Sequence, residues 1–226
     1  IAAIALIAML LMCLLGGCRP TQYIENIREV EVRDTLIITE PDTASMHALI
    51  ECDEAVFRQI SRMIKVDTVV VTNIFEDQLD RFGEISYIKN VIKTAIENQP
   101  KATLCLNANN PNVVDLVNSK SPNKIIWFGD KDAVKTPDIL LKKITHTSID
   151  NSEFEVSTKN DKSLSINLNL PGEYNINNAL AALAAAKALD IKTETAIDSL
   201  RNVSASFGRA EKLLLKNTPL HFFLIK

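Results

Sequence analysis

Two acidic clusters carry the side chains best suited to hold a cation. The first is the run Glu-Cys-Asp-Glu at residues 51–54, which follows an apolar stretch. Carboxylate oxygens are ligands that Mg²⁺ prefers, so Glu51 is a candidate metal ligand, although a solvated turn has the same composition. The second cluster, residues 72–83, combines an amide, acids and an arginine in one loop. Asn73, Asp77 and Arg81 are its candidates for orienting a cation and phosphates, with Asp77 and Arg81 as catalytic candidates, but a charged helix N-terminus is an equal alternative.

Two further clusters carry amides and an arginine. Asn175, Asn177 and Asn178 follow Pro171-Gly172, and a side-chain amide offers the donor and the acceptor that match adenine N6 and N7. Asparagine also caps helices, but three in four residues exceed what one cap needs. Arg209 follows a glycine, and its planar guanidinium could reach phosphates, although this motif alone is weak. We take Asn73, Asn175, Asn178 and Arg209 as the nucleotide-binding candidates.

Strands and helices that alternate along the chain must position these clusters. Apolar runs at residues 48–52, 67–72, 103–106 and 124–128 predict buried strands, and residues 54–64 and 87–96 have helical periodicity. This order predicts an α/β fold with a mostly parallel sheet flanked by helices. Functional groups should then lie at the carboxyl ends of the strands, where the sequence places Glu51, Asn73, Asn107 and Gly129.

The second half of the chain has a different hydrophobic pattern. Residues 139–170 contain three alternating segments separated by turn residues, which predict a small antiparallel β region. An Ala-rich helix over residues 176–189 and a further helix over 193–201 are expected to follow.

The N-terminus carries a separate signal. Residues 1–17 are apolar, and Leu15-Gly16-Gly17-Cys18 resembles the lipobox of bacterial lipoproteins, where Cys18 would be lipidated. A buried apolar helix or a shortened membrane span is the alternative. We expect a signal-like segment at 1–18, a polar tether at 19–47, an α/β domain at 48–211 and the start of a truncated C-terminal domain at 212–226. One explanation for this separate N-terminal signal is a chimeric or misassembled reading frame, joined near residues 51–54.

Composition excludes several classes of function. The net charge of -3 forces no basic face, so a nucleic-acid partner has no support. The four cysteines have no C-x-x-C spacing, so no zinc ribbon is encoded. Cys52 and Cys105 lie in apolar stretches and are expected to be buried free thiols.

Taken together and in this order, the clusters resemble the Mur ligase family, and within it the MurT-type subunits of lipid II isoglutaminyl synthase. Residues 73–84, N-I-F-E-D-Q-L-D-R-F-G-E, are similar to the signature N-L-F-R-D-Q-L-D-R-Y-G-E, and Gln78 stands where most other Mur ligases have His. Residues 106–111 resemble the family's L-N-A-D-D-P. Residues 174–182 and 207–211 resemble its adenine-side motif and its G-R-x-E segment. The resemblance covers about 160 residues.

The resemblance implies a function. The domain would bind ATP and Mg²⁺, with Glu51 as the metal ligand, Asn73 and Asp77 on the metal and phosphate side, Asn175 and Asn178 at adenine, and Arg209 at phosphates. ATP would activate a carboxylate of the lipid II stem peptide as an acyl phosphate. Ammonia from a GatD-type glutamine amidotransferase partner would then displace phosphate. The alternatives are a folylpolyglutamate-synthetase-like or other Mur ligase, and a membrane-anchored, non-catalytic binding module on the same scaffold.

The sequence also departs from the family pattern. A phosphate loop G-x-x-G-K-[ST] is absent before Glu51, and Asn109 and Asn110 replace two acids. We therefore expect this chain alone to be inactive as a ligase. The ligase-like part implies a cytoplasmic location, whereas the lipobox-like segment implies a membrane lipoprotein.

Overall fold

A computed structural model describes the backbone of residues 36–38, 48–50, 54–75, 85–158, 163–204, 209–215 and 218–223. Side chains are described for residues 56–75, 85–158 and 163–204. The apolar segment at 1–18, the tether up to residue 35, and Glu51, Cys52, Asp77 and Arg81 lie outside the described residues.

A six-stranded sheet organises the described chain. Its strands lie in sequence order: β3 (Thr68–Val71), β4 (Thr103–Asn107), β5 (Ile125–Asp130), β6 (Ile139–Thr147), β7 (Ser152–Thr158) and β8 (Leu164–Leu168). The pairs from β3 to β6 are parallel, as the strand–helix alternation predicts. The fold is therefore α/β with a mixed sheet.

The antiparallel strands correct one expectation. We expected residues 139–170 to form a small sheet of their own, but β6 pairs in parallel with β5 and the antiparallel strands β7 and β8 continue the same sheet. Two antiparallel steps return β8 to the direction of β6. Its carboxyl end therefore lies at the same edge of the sheet as those of β3, β4 and β5.

Helices cover both faces of the sheet. Helices α1 (Glu54–Met63) and α2 (Ile85–Glu97) lie on one face, α3 (Pro111–Val114) is one short turn after β4, and α4 (Glu173–Ala188) and α5 (Thr193–Leu200) lie on the other face. Alternation along β4 shows why two cores form. Leu104 and Leu106 are fully buried toward α2, whereas Cys105 is fully buried toward α4, as the period of two in a strand requires.

Helix α4 is buried on nearly every side. Residues 179–186 are all buried, and six of these eight are alanine. Small side chains let the helix axis approach the sheet closely, and a helix that is apolar all round is expected to be enclosed. It begins three residues before the expected start, at Glu173.

Polar side chains, two of them buried, close the amino ends of β3, β4 and β5. We call Ser61, Asn98, Gln99 and Asn123 the amino-end cluster. Gln99 is 2% exposed; its Nε2 donates to the carbonyls of Ser61 and Ile64, both at 2.8 Å, and its Oε1 accepts from the Val66 N–H at 3.1 Å. Asn123 Nδ2 donates to the carbonyls of Gln99 and Ala102 at 2.7 and 2.9 Å. The side chain of Gln99 therefore satisfies the carbonyls that end α1.

Two small hairpins complete the described backbone. Strands β1 (Leu36–Ile38) and β2 (Ala48–Ile50) pair antiparallel, so the expectation that residues 48–52 join the parallel sheet is wrong for the part described. Strands β9 (Arg209–Leu215) and β10 (Thr218–Phe223) form the second antiparallel pair, which the sequence pattern did not reveal. In the part of the chain that the structure covers, no helix has the length and apolar character needed to span a membrane.

Candidate nucleotide site

A continuous network of amides links the carboxyl ends of β3, β4 and β5. We call Asn73, Asn107, Asn109 and Asp130 the carboxyl-end rim. Asn107 Nδ2 donates to Asn73 Oδ1 at 3.1 Å, and Asn107 Oδ1 accepts from the Asn109 N–H at 2.9 Å. Asn109 Nδ2 donates to Asp130 Oδ1 at 2.6 Å, and Asn109 Oδ1 accepts from the Asp130 N–H at 2.9 Å. Three neighbouring strand ends are therefore joined by side chains as well as by the backbone ladder.

The rim is half open to solvent. Asn107, at the end of β4, is 4% exposed, whereas Asn73, Asn109 and Asp130 are half-buried. Among the described residues, the side chain of Asn73 has one hydrogen bond, through Oδ1, and its Nδ2 has none. The rim thus keeps polar groups that a ligand at this edge could use.

Asn110 explains part of the departure from the family's acidic pattern. Its Oδ1 accepts from the N–H groups of Asn112 and Val113 at 3.0 and 3.3 Å, which caps α3, and its Nδ2 donates to the Ile74 carbonyl at 3.3 Å. An aspartate would cap the helix equally well but could not donate to Ile74. The amide therefore ties the loop after β4 to the loop after β3.

Gly129 leaves the space that the Asn109 side chain occupies. A Cβ atom at position 129 would lie 2.3 Å from Asn109 Oδ1, which is far below contact distance. The two hydrogen bonds to Asp130, one through Oδ1 and one through Nδ2, hold this amide in place, so a larger residue at position 129 would displace it. The sequence places Gly129 at a strand end, but the pairing of Asn109 with Asp130 was not predicted. The sequence feature that could have indicated this pairing is the acid directly after Gly129, because it ends one strand while an amide follows the end of the neighbouring strand.

The Asn175 side chain lies at the start of α4, at the edge of the sheet where β8 ends. Gly172 has φ of 89°, a conformation that favours glycine, and it turns the chain from β8 into the helix. Asn175 is 1% exposed, and its Nδ2 donates to the Pro171 carbonyl at 2.7 Å. Its Oδ1 is buried and has no hydrogen-bond partner among the residues that the structure describes, which is a costly arrangement unless a ligand completes it. Asn178 is half-buried, and the neighbouring Asn177 is exposed.

The structure describes the side chains of three predicted site residues, Asn73, Asn175 and Asn178. All three follow strands whose carboxyl ends share one edge of the sheet. For Arg209 only the backbone is described, in β9 opposite Phe223. Glu51, Asp77 and Arg81 lie outside the described residues, so the predicted convergence of all seven side chains stays a prediction. Within the described part of the chain, no group of three His, Cys, Asp or Glu side chains could hold a metal ion.

Two features elsewhere bear on chemistry. Burial raises the pKa of the Cys105 thiol to about 12, against a smaller opposing effect of Lys124, so this thiol stays protonated and unreactive in the core. This confirms the expectation for Cys105. A pocket of about 140 Å³ lies at the opposite edge of the sheet, lined by Lys93, Glu97, Leu116, Asn118 and Asn123 among others. None of the predicted site residues lines it.

Comparison with known proteins identifies the fold and the family. Residues 22–186 match the Mur ligase middle domain. The MurT subunit of the glutamine-hydrolysing lipid II isoglutaminyl synthase from Streptococcus pneumoniae is 29% identical, and the match covers 79% of this chain and 48% of that protein. The UDP-N-acetylmuramate–L-alanine ligase of Caldicellulosiruptor bescii is 36% identical over 64% of this chain and 31% of its own length. The chain thus spans half or less of the length of these relatives.

Solved structures share the fold. MurF from Acinetobacter baumannii superposes with a TM-score of 0.63 at 20% identity, covering 72% of this chain and 35% of that one. MurF ligase from Thermotoga maritima, solved in complex with ADP, superposes with a TM-score of 0.57 at 17% identity, covering 70% of this chain and 35% of that one. The family match begins at residue 22, before the start that we expected at 48; the domain boundaries stay a prediction. Because the family model covers most of the chain, this protein belongs to the Mur ligase family.

Proposed function

We propose that this chain carries the ATP-binding part of a ligase that forms a carbon–nitrogen bond on a peptidoglycan precursor. The observation that carries the proposal is the carboxyl-end rim, because it presents half-buried amides at the edge of an α/β sheet where such folds bind ligands. Membership of the Mur ligase family supports the same edge as the nucleotide site.

The residues available at this edge suit an adenine nucleotide. The orphaned Asn175 Oδ1 is an acceptor, and the exocyclic amino group of adenine is a donor that would satisfy it. Asn178, one helical turn further, is half-buried on the same helix. Arg209 would contact phosphates with its guanidinium group.

A divalent cation would be held by oxygen ligands from the acidic clusters, with Glu51 and Asp77 as the candidates. Mg²⁺ would neutralise phosphate charge during transfer. The carboxylates match the preference of this ion for oxygen. Asn73 Oδ1 is directed toward Asn107 Nδ2, from which it accepts a hydrogen bond, so we do not include it among the candidate metal ligands.

The proposed reaction has two stages. A carboxylate oxygen of the stem peptide attacks the γ-phosphorus of ATP and ADP leaves, which gives an acyl phosphate. Ammonia then attacks the acyl carbon and inorganic phosphate leaves, which completes the amide. The protein side chains contribute by positioning and by stabilising charge on the transferred group.

We propose that the acceptor is the glutamate of the lipid II stem peptide, amidated together with a GatD-type glutamine amidotransferase. Gln78 in the string at residues 73–84 and the similarity to the MurT subunit support this choice. The second candidate adds an amino acid instead of ammonia, and the 36% identity to a UDP-N-acetylmuramate–L-alanine ligase favours it. Because we expect this chain alone to be inactive, the full-length gene product is supplied with lipid II and ammonia, or with UDP-N-acetylmuramate and L-alanine, and the product mass separates the two.

Calorimetric titration of the chain with ATP and Mg²⁺ tests the nucleotide site. Asn175→Ala and Arg209→Ala should each weaken binding by about tenfold, which corresponds to one hydrogen bond or charged contact. Asn167→Ala changes an exposed asparagine on β8 and should leave the affinity unchanged. A wild-type chain that does not bind ATP would overturn the proposal and leave a non-catalytic module on this scaffold.

A further inference from the structure

The direction of two amide side chains in the carboxyl-end rim follows from one backbone group. An asparagine side chain has an acceptor end and a donor end, and its hydrogen-bond partners decide which way it faces. The backbone N–H of Asn109 can only donate, and it lies 2.9 Å from the Asn107 side chain, so Oδ1 of Asn107 must face it. Asn107 Nδ2 then faces Asn73 at 3.1 Å, and Asn73 must accept through its own Oδ1.

We propose that Asn107 is a positioning residue that turns the Asn73 amide so that its NH₂ group, and not its oxygen, is presented to a phosphate group of the nucleotide. This inference rests on the proposed function and adds to it a residue that does not touch the ligand. It also changes the role of Asn73. A residue whose NH₂ group faces the ligand serves phosphate oxygens as a donor, whereas Mg²⁺ takes oxygen ligands and the Asn73 oxygen is directed toward Asn107.

The surroundings make Asn107 rigid enough for this role. It is 4% exposed, it ends β4, and it pairs in register with Phe128 of β5. Its amide cannot turn over without facing the Asn109 N–H with a second donor, which would leave two buried donors unsatisfied. Asn73, by contrast, lies just beyond β3, is half-buried, and has no described partner for Nδ2.

The variant Asn107→Asp reverses the direction of Asn73. A carboxylate at position 107 still accepts from the Asn109 N–H but cannot donate to Asn73. The Asn73 side chain must then turn its NH₂ group inward and present its oxygen to the nucleotide. We expect the dissociation constant for ATP to rise by about tenfold or more, because a donor to a charged phosphate becomes an acceptor.

Asn118→Asp is the matched control for the added charge. Asn118 is an exposed asparagine after α3, and its Oδ1 accepts from the Lys120 N–H at 2.8 Å, a bond that a carboxylate keeps. We expect its affinity for ATP to stay close to that of the wild type. Combining Asn107→Asp with Asn73→Ala should bind ATP as weakly as Asn73→Ala alone, because Asn107 acts through Asn73. Asn107→Ala, which removes the donor without adding charge, replaces Asn107→Asp if that variant does not fold.

A second readout tests the orientation without nucleotide. In the wild-type chain, NMR should show slow hydrogen exchange for the Asn107 side-chain NH₂ and fast exchange for that of Asn73, and Asn107→Asp should slow the exchange at Asn73. A wild-type Asn73 NH₂ that is already protected, or effects of the two substitutions on ATP binding that simply add, would overturn the inference. Absence of ATP binding by the wild type refutes the proposed function, and with it the phosphate contact, while the exchange data still decide the orientation.

Discussion

The same three parallel strands end in amide networks at both edges of the sheet, and the two networks differ in how completely they are satisfied. In the amino-end cluster, Gln99 uses both side-chain donors and its oxygen on the backbone around α1. In the carboxyl-end rim, Asn73 keeps a donor without a described partner, and Asn175 at the same edge keeps a buried acceptor without one. Buried polar groups normally find partners, so a network that closes on itself stabilises the fold, and one left incomplete at the ligand edge points to a binding role.

The largest expected effect is on stability, at the amino-end cluster. Gln99→Leu leaves two carbonyls and the Val66 N–H without partners in a site that is 2% exposed. We expect the free energy of unfolding to fall by roughly 3 kcal/mol or more, measured by urea denaturation. Asn98→Ala, which removes one half-buried bond to Ser61 Oγ, should cost about 1 kcal/mol or less. Equal losses for the two variants would contradict the view of Gln99 as the centre of the cluster.

A smaller effect is expected at the carboxyl-end rim. Asn109→Asp restores the acid that the family pattern has at this position, but it places a carboxylate where an amide now donates to Asp130 at 2.6 Å. We expect a loss of roughly 2 kcal/mol at pH 7. The loss should shrink below about pH 5, because one of the two carboxyl groups then binds a proton and donates to the other.

Two variants control this result. Adding Asp130→Asn to Asn109→Asp exchanges the donor and the acceptor and should recover most of the stability. Asn118→Asp makes the same change of charge at an exposed position and should have little effect. If Asn109→Asp is as stable as the wild type at neutral pH, the bond between Asn109 and Asp130 does not tie β4 to β5.

The smallest effect concerns alkylation of the Cys105 thiol, which should respond differently to substitutions at the two edges of the sheet. The pKa of about 12 leaves roughly one Cys105 thiol in ten thousand ionised at pH 8, so alkylation in the folded state should be negligible. Gln99→Leu should speed alkylation of the peptide that contains Cys105, because it opens the core, whereas Asn73→Ala, a half-buried change at the other edge, should not. Mass spectrometry of the alkylated peptide separates Cys105 from the other cysteines. Rapid alkylation in the wild type would show that the core around β4 is not closed.

Local periodicity was enough to predict most elements of the sheet but not how all of them pair. Helices α1 and α2 and strands β3 to β5 lie within two or three residues of their predicted bounds, because long apolar runs have a clear period. The union of β6 with β5 and the pairing of β2 with β1 depend on contacts between distant segments, which no local pattern encodes. The four-residue helix α3 is too short to show a period.

The site was predictable in part, for a physical reason. Asn73 and Asn107 follow apolar strands, so the rule for parallel sheets places them at one edge. From the sequence alone, Asn109 was noted only as replacing an acid of the family pattern. Its hydrogen bond to Asp130, 21 residues away, is not encoded by any local pattern. Gln99 gave no signal at all, since a glutamine at a helix end is usually exposed.

Hydrogen–deuterium exchange of the chain with and without ATP and Mg²⁺ tests most directly whether the open edge is the one that binds. We predict slower exchange of backbone amides at residues 72–75, 107–112 and 172–178 on saturation with ATP, and no change at residues 98–102 and 118–124. Protection confined to the amino-end cluster, or no protection at either edge, would contradict the assignment of the carboxyl-end rim as the nucleotide site.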